Sequence, residues 1–312
     1  MNILVSSVSK KIPLVQALRK SGTALKIIGT DRNPQVIGCY FVDQFERLPG
    51  LENGDIEQFV KECKKLSIQG IIPTRNGELP FFAKHRERLT KEGIHCMVSE
   101  EHGVDACLDK LLFFKELAAD FPMIPSSLRL DFKASSYVVK ERQGAGSLGI
   151  GLQLDEEQAR NFAKQLKEPL FQPFIEGQEY SIDLYVNRTG EVMGCIARKR
   201  NLVVDGESQV TQSVRFPKLE ELCSAMAKKL QLYGHAVFQA LVDPQGVIHV
   251  IECNPRFGGA STLSIAMGLR SFEWFLAEVE GKDLKQLPFK RSSRELTQVR
   301  YPADYVFQNL SH

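Results

Sequence analysis

The sequence has 312 residues, of which 43% are hydrophobic and 25% are charged, and its net charge is +2. This composition is typical of a globular protein and does not favour a nucleic-acid or membrane surface. No apolar run approaches the roughly 20 residues of a membrane span, and the first residues lack the features of a signal peptide, so we expect a cytoplasmic protein.

The seven cysteines are scattered along the chain and form no C-x-x-C pair: Cys39, Cys63, Cys96, Cys107, Cys195, Cys223 and Cys253. An odd number without paired spacing argues against a zinc site and against a disulfide framework. We expect most of them to be small buried hydrophobic residues.

The first third of the sequence alternates short apolar runs with helical patterns. Strands are predicted at residues 2–6, 25–29, 70–74 and 94–98, and a helix is predicted at 11–20. This alternation is typical of βαβ units around a parallel sheet. We therefore predict a Rossmann-like domain over residues 1–107.

After that point the pattern changes to a mixed α+β arrangement with antiparallel pairing. Helices are predicted at 110–119 and 219–230, and the strands are predicted at 137–140, 170–175, 179–187, 192–197, 236–242 and 247–252. The turn Asp243-Pro-Gln-Gly246 joins the last two strands into a hairpin. Residues 290–312 are polar and give no clear pattern.

The loop at residues 6–11, Ser-Ser-Val-Ser-Lys-Lys, follows the first strand but contains no glycine. A dinucleotide-binding loop at this place needs glycines so that the backbone can approach the pyrophosphate. We therefore expect a plain turn in which Ser9 caps the next helix.

A second loop has the composition that the first one lacks. A predicted strand delivers Lys140, and Gly144, Gly146, Ser147 and Gly149 follow it. Glycines let backbone N–H groups converge on phosphate oxygens, and the lysine adds a positive charge. The alternative is a flexible hairpin loop without a ligand.

The predicted hairpin near the end of the chain carries a potential metal site. Antiparallel pairing across its tight turn places Gln239 close to Glu252, and Asn254 emerges on the same face two residues later. One carboxylate and two amide oxygens suit magnesium, and manganese is an alternative ion. Arg256 follows and is suited to phosphate oxygens. The alternative is an edge strand with a polar face.

These motifs resemble those of the ATP-grasp superfamily. The nearest similarity is to the synthetase domain of the carbamoyl-phosphate synthase large subunit and to related single-chain carboxylate–amine ligases. Residues 29–34 and 71–78 also resemble strand-and-loop signatures of that family. The resemblance implies a Rossmann-like pre-ATP-grasp domain (1–107), followed by a small (108–174) and a large (175–312) ATP-grasp subdomain.

The resemblance also implies roles for individual residues. The expected ATP-binding residues are Lys110, Lys140, Gly144, Gly146, Ser147, Gly149, Gln172, Phe174 and Glu179. Within that set, Gln172 and the backbone of Phe174 would meet the adenine amine, and Glu179 the ribose. The expected magnesium ligands are Gln239, Glu252 and Asn254, although the position of Gln239 is often acidic elsewhere in the superfamily. Lys140 and Arg256 are the expected catalytic residues.

The implied activity is ATP-dependent formation of an acyl phosphate from a small carboxylate, followed by attack of an amine. Neither an amidotransferase domain nor a second synthetase half is present, so we do not expect carbamoyl phosphate synthesis. A small-molecule kinase and a nucleotide-binding regulatory module stay open as alternatives. The sequence does not identify the carboxylate or the amine, and a homodimer is one open assembly.

The acceptor site is expected between the N-terminal domain and the ATP-binding half. Arg75 and Glu78 follow a parallel strand, where α/β sheets bind ligands, so Arg75 would pair with a carboxylate and Glu78 with an amine. Arg198, Arg200 and Glu207 would face the same cleft. The alternative for each of the five is a solvated surface charge.

Overall fold

The computed structural model describes residues 1–22, 24–144 and 149–307, and these form three β-sheets flanked by helices. None of the helices in those ranges has the length and apolar character needed to cross a membrane. The predicted order of a parallel α/β domain followed by antiparallel sheets is confirmed.

The N-terminal sheet has five parallel strands in the order β3-β2-β1-β4-β5. In chain order they are β1 (Asn2–Ser6), β2 (Lys26–Thr30), β3 (Gln44–Phe45), β4 (Ile68–Ile72) and β5 (His95–Cys96). The strand order reverses at β1, so the loops after β1 and β4 enclose the crevice where such sheets bind ligands. The loop after β4 carries Arg75 and Glu78.

Six helices accompany this sheet: α1 (Ile12–Lys20), α2 (Pro49–Asn53), α3 (Ile56–Lys65), α4 (Leu79–Lys84), α5 (Arg86–Lys91) and α6 (Glu101–Leu108). The expectation that Ser9 caps α1 is wrong. Lys11 occupies the N-cap position without a side-chain cap, and the Ser9 N–H donates to Asp31 Oδ2 at 3.1 Å. Pro13 supports the start of the helix instead, because proline fits the first turn.

A small antiparallel sheet follows α7 (Lys110–Leu117) and has the order β7-β6-β8. Its strands are β6 (Tyr137–Glu141), β7 (Gly151–Leu154) and β8 (Pro169–Pro173), and α8 (Glu156–Ala163) covers one face. Tyr137, Val139, Ala159 and Phe171 form its core.

The large sheet has six antiparallel strands in the order β13-β12-β9-β10-β11-β14. The strands are β9 (Gln178–Val186), β10 (Val192–Val204), β11 (Glu207–Val214), β12 (Gly234–Val242), β13 (Ile248–Asn254) and β14 (Thr297–Val299). One face is apolar and packs with α6, α7 and α9 (Pro217–Lys229) through residues such as Leu184, Phe238 and Met226. The alternate residues of β9, β10, β12 and β13 make the other face polar.

Two helices that the sequence pattern did not predict join the N-terminal sheet to the large sheet: α10 (Ser261–Ala266) and α11 (Ser271–Val279). Ile3 and Ile72 of the first sheet share a core with Tyr185 of the large sheet and with Trp274 and Phe275 of α11. This shared core holds the crevice at the end of the N-terminal sheet beside the polar face of the large sheet. The domain boundaries at 107/108 and 174/175 stay predictions.

Three short 3₁₀ helices lie at Ile37–Phe41, Asn76–Glu78 and Leu284–Gln286. After β14 the chain runs back to the first of these, where Phe41 makes edge contacts with the rings of Tyr305 and Phe307. The polar C-terminal region therefore contains one edge strand and an aromatic contact with the N-terminal domain.

Candidate active site

The hairpin of β12 and β13 has the predicted register. Gln239 pairs directly with Glu252 across the two strands, and the Nδ2 of Asn254 donates to Glu252 Oε1 at 3.2 Å. The turn is fixed by Asp243, whose Oδ1 accepts the N–H groups of Gln245 and Val247. The hairpin therefore brings the three predicted metal ligands together at one edge of the large sheet.

The three predicted metal ligands at this edge carry only one negative charge. Within residues 1–22, 24–144 and 149–307, no three His, Cys, Asp or Glu side chains are placed to hold a metal ion. A magnesium ion here would rely on the single carboxylate of Glu252 and on the amides of Gln239 and Asn254. Magnesium binds through one or two carboxylates and completes its shell with phosphates and water, so the residues fit an ion that arrives with a nucleotide.

Lys110 lies beside this edge at the start of α7. Its Nζ donates to the carbonyl of Gly144 at 3.0 Å and lies 4.0 Å from Glu252 Oε2. Asp109 caps the helix through the N–H groups of Leu111 and Leu112, and Arg142 holds the same carboxylate in a forked contact. The ion pair of Asp109 and Arg142 connects the start of α7 to the beginning of the glycine-rich loop.

Lys140 on β6 is the second cation of the site. Its side chain is buried and has no hydrogen-bond or ion-pair partner in the part of the chain that the structure describes. Burial, with a smaller contribution from Lys110, lowers the pKa of Lys140 to about 8 against the opposing effects of Glu252 and Glu179. A buried ammonium without a partner is unfavourable, so the protein alone leaves a place for an anionic ligand.

Arg256 follows β13 and connects the metal edge to the N-terminal domain. Its Nη2 donates to Asn254 Oδ1 at 3.2 Å, and its Nε donates to Asn76 Oδ1. Asn76 in turn donates through Nδ2 to Asn254 Oδ1 at 3.3 Å. Asn76 was not among the predicted site residues, although it lies inside the 71–78 signature. Burial lowers the pKa of Arg256, against the opposing effects of Glu252 and Glu78.

The residues predicted to bind adenosine lie on β8, directly after it and at the start of β9. Gln172 is buried, and its amide donates to Ser126 Oγ at 2.8 Å. The N–H of Phe174 donates to the carbonyl of Ser136, so the Phe174 carbonyl is the group suited to an adenine amine. Glu179 is paired with Arg200, and burial raises the pKa of Glu179 although Arg200 opposes the shift.

The structure describes part of the glycine-rich loop that is predicted to bind phosphate. Gly144 accepts the hydrogen bond from Lys110, and Gly149 has a positive φ of 68°, a conformation that favours glycine. Gly146 and Ser147 lie outside the described residues.

The crevice of the N-terminal sheet contains a cavity of about 320 Å³ that Arg75 and Glu78 both line, together with Ser7 and Asp31. Arg75 is exposed. Glu78 is buried, and its carboxylate accepts from Ser7 Oγ and from the N–H groups of Thr74 and Arg75. Burial raises the pKa of Glu78, and these hydrogen bonds oppose the shift.

The remaining predicted acceptor residues are engaged by protein groups. Arg198 forms a buried ion pair with Asp183, with Nε and Oδ2 2.6 Å apart. Arg200 is held by Glu179, by Ser208 Oγ and by the Gly206 carbonyl, and exposed Glu207 pairs with Arg300 at 2.6 Å.

Burial therefore separates the five acceptor candidates. The alternative of a solvated surface charge is wrong for three of them, Glu78, Arg198 and Arg200, and agrees with the exposure of Arg75 and Glu207.

Lys11, the half-buried N-cap residue of α1, is a charged residue that was not among the predicted site residues. Burial lowers the pKa of Lys11, and the neighbouring charges that influence it are those of Arg256, Glu207, Arg300 and Glu78. The signal in the sequence was only a second lysine at the end of a loop without glycine, and such a lysine usually lies in solvent.

Two family models match the chain. The model of the ATP-grasp domain matches residues 107–260, and that of the PylC-like N-terminal domain matches residues 3–97. The two ranges follow one another and span most of the sequence. No curated protein matches the chain.

Solved structures with the same fold are distant in sequence. Biotin carboxylase from Campylobacter jejuni, in complex with β-γ-ATP, has a TM-score of 0.71 and 15% identity, covering 92% of this chain and 73% of its own. L-amino acid ligase from Bacillus licheniformis has a TM-score of 0.71 and 16% identity, covering 97% and 80%. N5-carboxyaminoimidazole synthetase from Staphylococcus aureus, complexed with ADP, has a TM-score of 0.70 and 16% identity, covering 91% and 78%. At such identities the likeness shows a shared fold.

Proposed function

Because the chain belongs to the ATP-grasp superfamily, we propose that it is an ATP-dependent ligase that joins a small carboxylate to an amine through an acyl phosphate. The observation that carries this proposal is the convergence of Lys110, Lys140 and Glu252 at one edge of the large sheet. Two lysines and one carboxylate leave an excess of positive charge, which a nucleotide triphosphate with a bound cation would balance.

The nucleotide would lie between the small sheet and the polar face of the large sheet. Its phosphates would supply the anionic partner that Lys140 lacks, and Lys110 would exchange its contact with Gly144 for a phosphate oxygen. The adenine amine would reach the Phe174 carbonyl, and the ribose would lie towards Glu179. Glu179 is already held by Arg200, so its carboxylate is oriented before the ribose arrives.

Magnesium, when bound, screens the phosphate charge during transfer. Glu252 would hold it from β13, with Gln239 from β12 and Asn254 two residues further on. The amide of Asn254 is fixed by Arg256 and Asn76, so the ligand segment and the N-terminal domain are positioned together.

The chemistry then needs charge stabilisation more than a protein nucleophile. A carboxylate oxygen attacks the γ-phosphorus as its bond to the ADP oxygen breaks, and Arg256 and Lys140 stabilise the charge on the transferred group. The amine nitrogen attacks the acyl carbon, loses a proton and displaces phosphate. The products are the amide, ADP and phosphate.

The test is a screen of amino acids and sugar acids, supplied with ATP and magnesium, for ADP release that depends on the added carboxylate. Amino acids come first because the L-amino acid ligase shares this fold. Hydroxylamine should trap the acyl phosphate as a hydroxamate. ADP release with a stable phosphorylated product and no hydroxamate would establish a kinase, and the absence of any carboxylate-dependent ADP release would reject the ligase.

A further inference from the structure

The loop after β13 carries Arg256, and three acceptors hold the guanidinium of this residue. Nη1 donates to the carbonyl of Phe257 at 2.7 Å, Nη2 donates to Asn254 Oδ1 at 3.2 Å, and Nε donates to Asn76 Oδ1. The first two acceptors belong to residues that flank the arginine in the chain. The direction of the guanidinium therefore depends on the conformation of residues 254–257, including the place of the Phe257 backbone.

Phe257 is held in the core by aromatic stacking. Its ring stacks on the imidazole of His235 on β12, with the ring centroids 4.0 Å apart and an angle of 17° between the planes. It also stacks on Phe272 of α11, with the centroids 4.6 Å apart. All three side chains are buried. His235 therefore bounds one side of the space that Phe257 occupies, and a side chain without a ring at this position would leave that space incompletely filled.

The end of the same loop is also held by the imidazole. His235 Nε2 lies 3.2 Å from Ser261 Oγ, and Ser261 Oγ accepts the N–H of Gly258 at 2.8 Å. Nε2 also lies 3.0 Å from Asp183 Oδ1, and Nδ1 lies 2.9 Å from Ser271 Oγ. Both ring nitrogens are engaged, so the orientation of the imidazole is fixed while it supports the loop.

We propose that His235 and Ser261 are positioning residues for phosphoryl transfer, which together hold residues 256–261 so that the Arg256 guanidinium points at the transferred group. This assignment rests on the proposed ligase function and gives two buried residues a role that passes through Arg256. Stabilisation of a transition-state charge needs a donor that is already in place, and a displacement of about 1 Å can cost about a hundredfold in rate. ADP lacks the group to be transferred, so its affinity should not depend on the pair.

Ser261→Ala and Ser271→Ala are the matched variants. Both serines are buried and each lies beside one nitrogen of the same imidazole, but Ser261 also accepts from the loop, whereas Ser271 begins α11. Ser261→Ala should lower the kcat of carboxylate-dependent ADP release about ten- to a hundredfold and leave the Kd for ADP unchanged. Ser271→Ala should keep a kcat close to wild type, because Asp183 still holds the ring. Equal losses of kcat in the two variants, or none in either, would overturn the proposal.

A double-mutant cycle tests whether the effect passes through Arg256. Once Arg256→Gln has removed the guanidinium, Ser261→Ala should cause little further loss of kcat, because changes that act through one group are not additive. The same loss of kcat in both backgrounds would mean that Ser261 acts by another route, which would contradict the assignment.

His235→Gln tests the imidazole itself. The variant keeps an amide donor for Asp183 but offers no ring to Phe257, so it should lower kcat as Ser261→Ala does, again with the Kd for ADP unchanged. A wild-type kcat in this variant would remove His235 from the assignment. If the variant does not fold, the two serine variants decide.

Hydrogen–deuterium exchange of the ligand-free protein tests the loop without any turnover. Exchange of the peptide that carries residues 256–261 should be faster in Ser261→Ala than in the wild type and unchanged in Ser271→Ala. Unchanged exchange in Ser261→Ala would mean that Ser261 does not hold the loop.

The two proposals fail in different ways. If a carboxylate stimulates ADP release and Ser261→Ala keeps the wild-type kcat, the positioning assignment is wrong and the ligase stands. If no carboxylate stimulates ADP release, the ligase is rejected together with the role in phosphoryl transfer, and the exchange rates then decide for the fixed loop alone.

Discussion

The polar face of the large sheet has two regions that carry similar residue types in different states. Around β9 and β10, Asp183 accepts from Arg198 at 2.6 Å and from His235 Nε2 at 3.0 Å, and all three side chains are buried. Around β12 and β13, the Glu252 side chain is 23% exposed, and its Oε2 lies 4.0 Å from the Nζ of Lys110. Nearby Lys140 has no hydrogen-bond or ion-pair partner in the described chain. The charged side chains of the first region are saturated, since they are paired with one another, whereas those of the second region are incompletely paired within the described chain.

This difference separates structural charges from charges available to a ligand. A buried charge costs several kcal/mol of desolvation unless a partner compensates it, so an incomplete buried site persists where a ligand completes it. Arg198 and Arg200, predicted as acceptor residues from their position alone, belong to the saturated region. Lys140 and Glu252 belong to the incomplete one.

The largest expected effect is on stability in the saturated region. Asp183→Asn should lower the free energy of unfolding by about 3–5 kcal/mol, because it strands the buried Arg198 and removes the acceptor of His235. Chemical denaturation measures this. Asp120→Asn is the matched control, since Asp120 also pairs with a cation, Lys229, but is exposed. A loss as small as that of the control would contradict the division of the sheet.

Glu252→Gln should show the reverse pattern. Turnover should fall about a hundred- to a thousandfold, since the variant loses the only carboxylate of the metal set and with it a transition-state contact worth about 2.7–4 kcal/mol. The free energy of unfolding should barely change because the substitution is nearly isosteric and no close ion pair is broken. ADP release and denaturation are measured on one sample, with exposed Glu221→Gln as the control. An active or strongly destabilised variant would place Glu252 with the structural charges.

Most of the strands, the hairpin register and the approach of Gln239 to Glu252 were predictable because they depend on local alternation and on one tight turn. Strands β3, β7, β11 and β14 were not predicted. The partner of Arg198 was not, because it depends on which strand lies next to β10. In the observed register Arg198 pairs with Ser181, and Asp183 lies two residues further along the same face. Sequence spacing on one strand contains no information about that neighbour.

Two further limits have the same physical origin. Lys11 follows a loop without glycine, and the cations that influence it, Arg256 and Arg300, lie far from it along the chain, so the spacing within the loop does not reveal them. Helix α11 buries Ser271 and Glu278 together with its apolar residues, so its sequence shows no polar face opposite an apolar one.

The affinity of the incomplete region for ATP should also depend on pH. The pKa of Lys140 is lowered by burial to about 8 without ligand, and ATP phosphates would favour the ammonium and raise it. Above about pH 8 the free Lys140 is mostly neutral, so ATP binding must be accompanied by uptake of a proton by this side chain. The Kd for ATP should therefore be constant below about pH 7 and should rise towards about tenfold per pH unit above about pH 8. Isothermal titration in buffers of matched ionic strength measures it. Lys140→Arg should abolish the slope because the guanidinium stays charged, and a slope that persists in this variant would contradict the assignment.

The smallest expected effect is at Arg75, whose charge lies in the crevice but is exposed. An exposed charge contact is worth about 0.2–1 kcal/mol, because water screens it and the long side chain loses freedom on pairing. Arg75→Ala should therefore raise the KM for the carboxylate at most about fivefold and leave the KM for ATP unchanged. Lys84→Ala, on the exposed side of α4, is the control. A rise in this KM of about a hundredfold would mean that the carboxylate lies in the crevice of the N-terminal sheet, and burial would then fail as the criterion that distinguishes binding charges from surface charges.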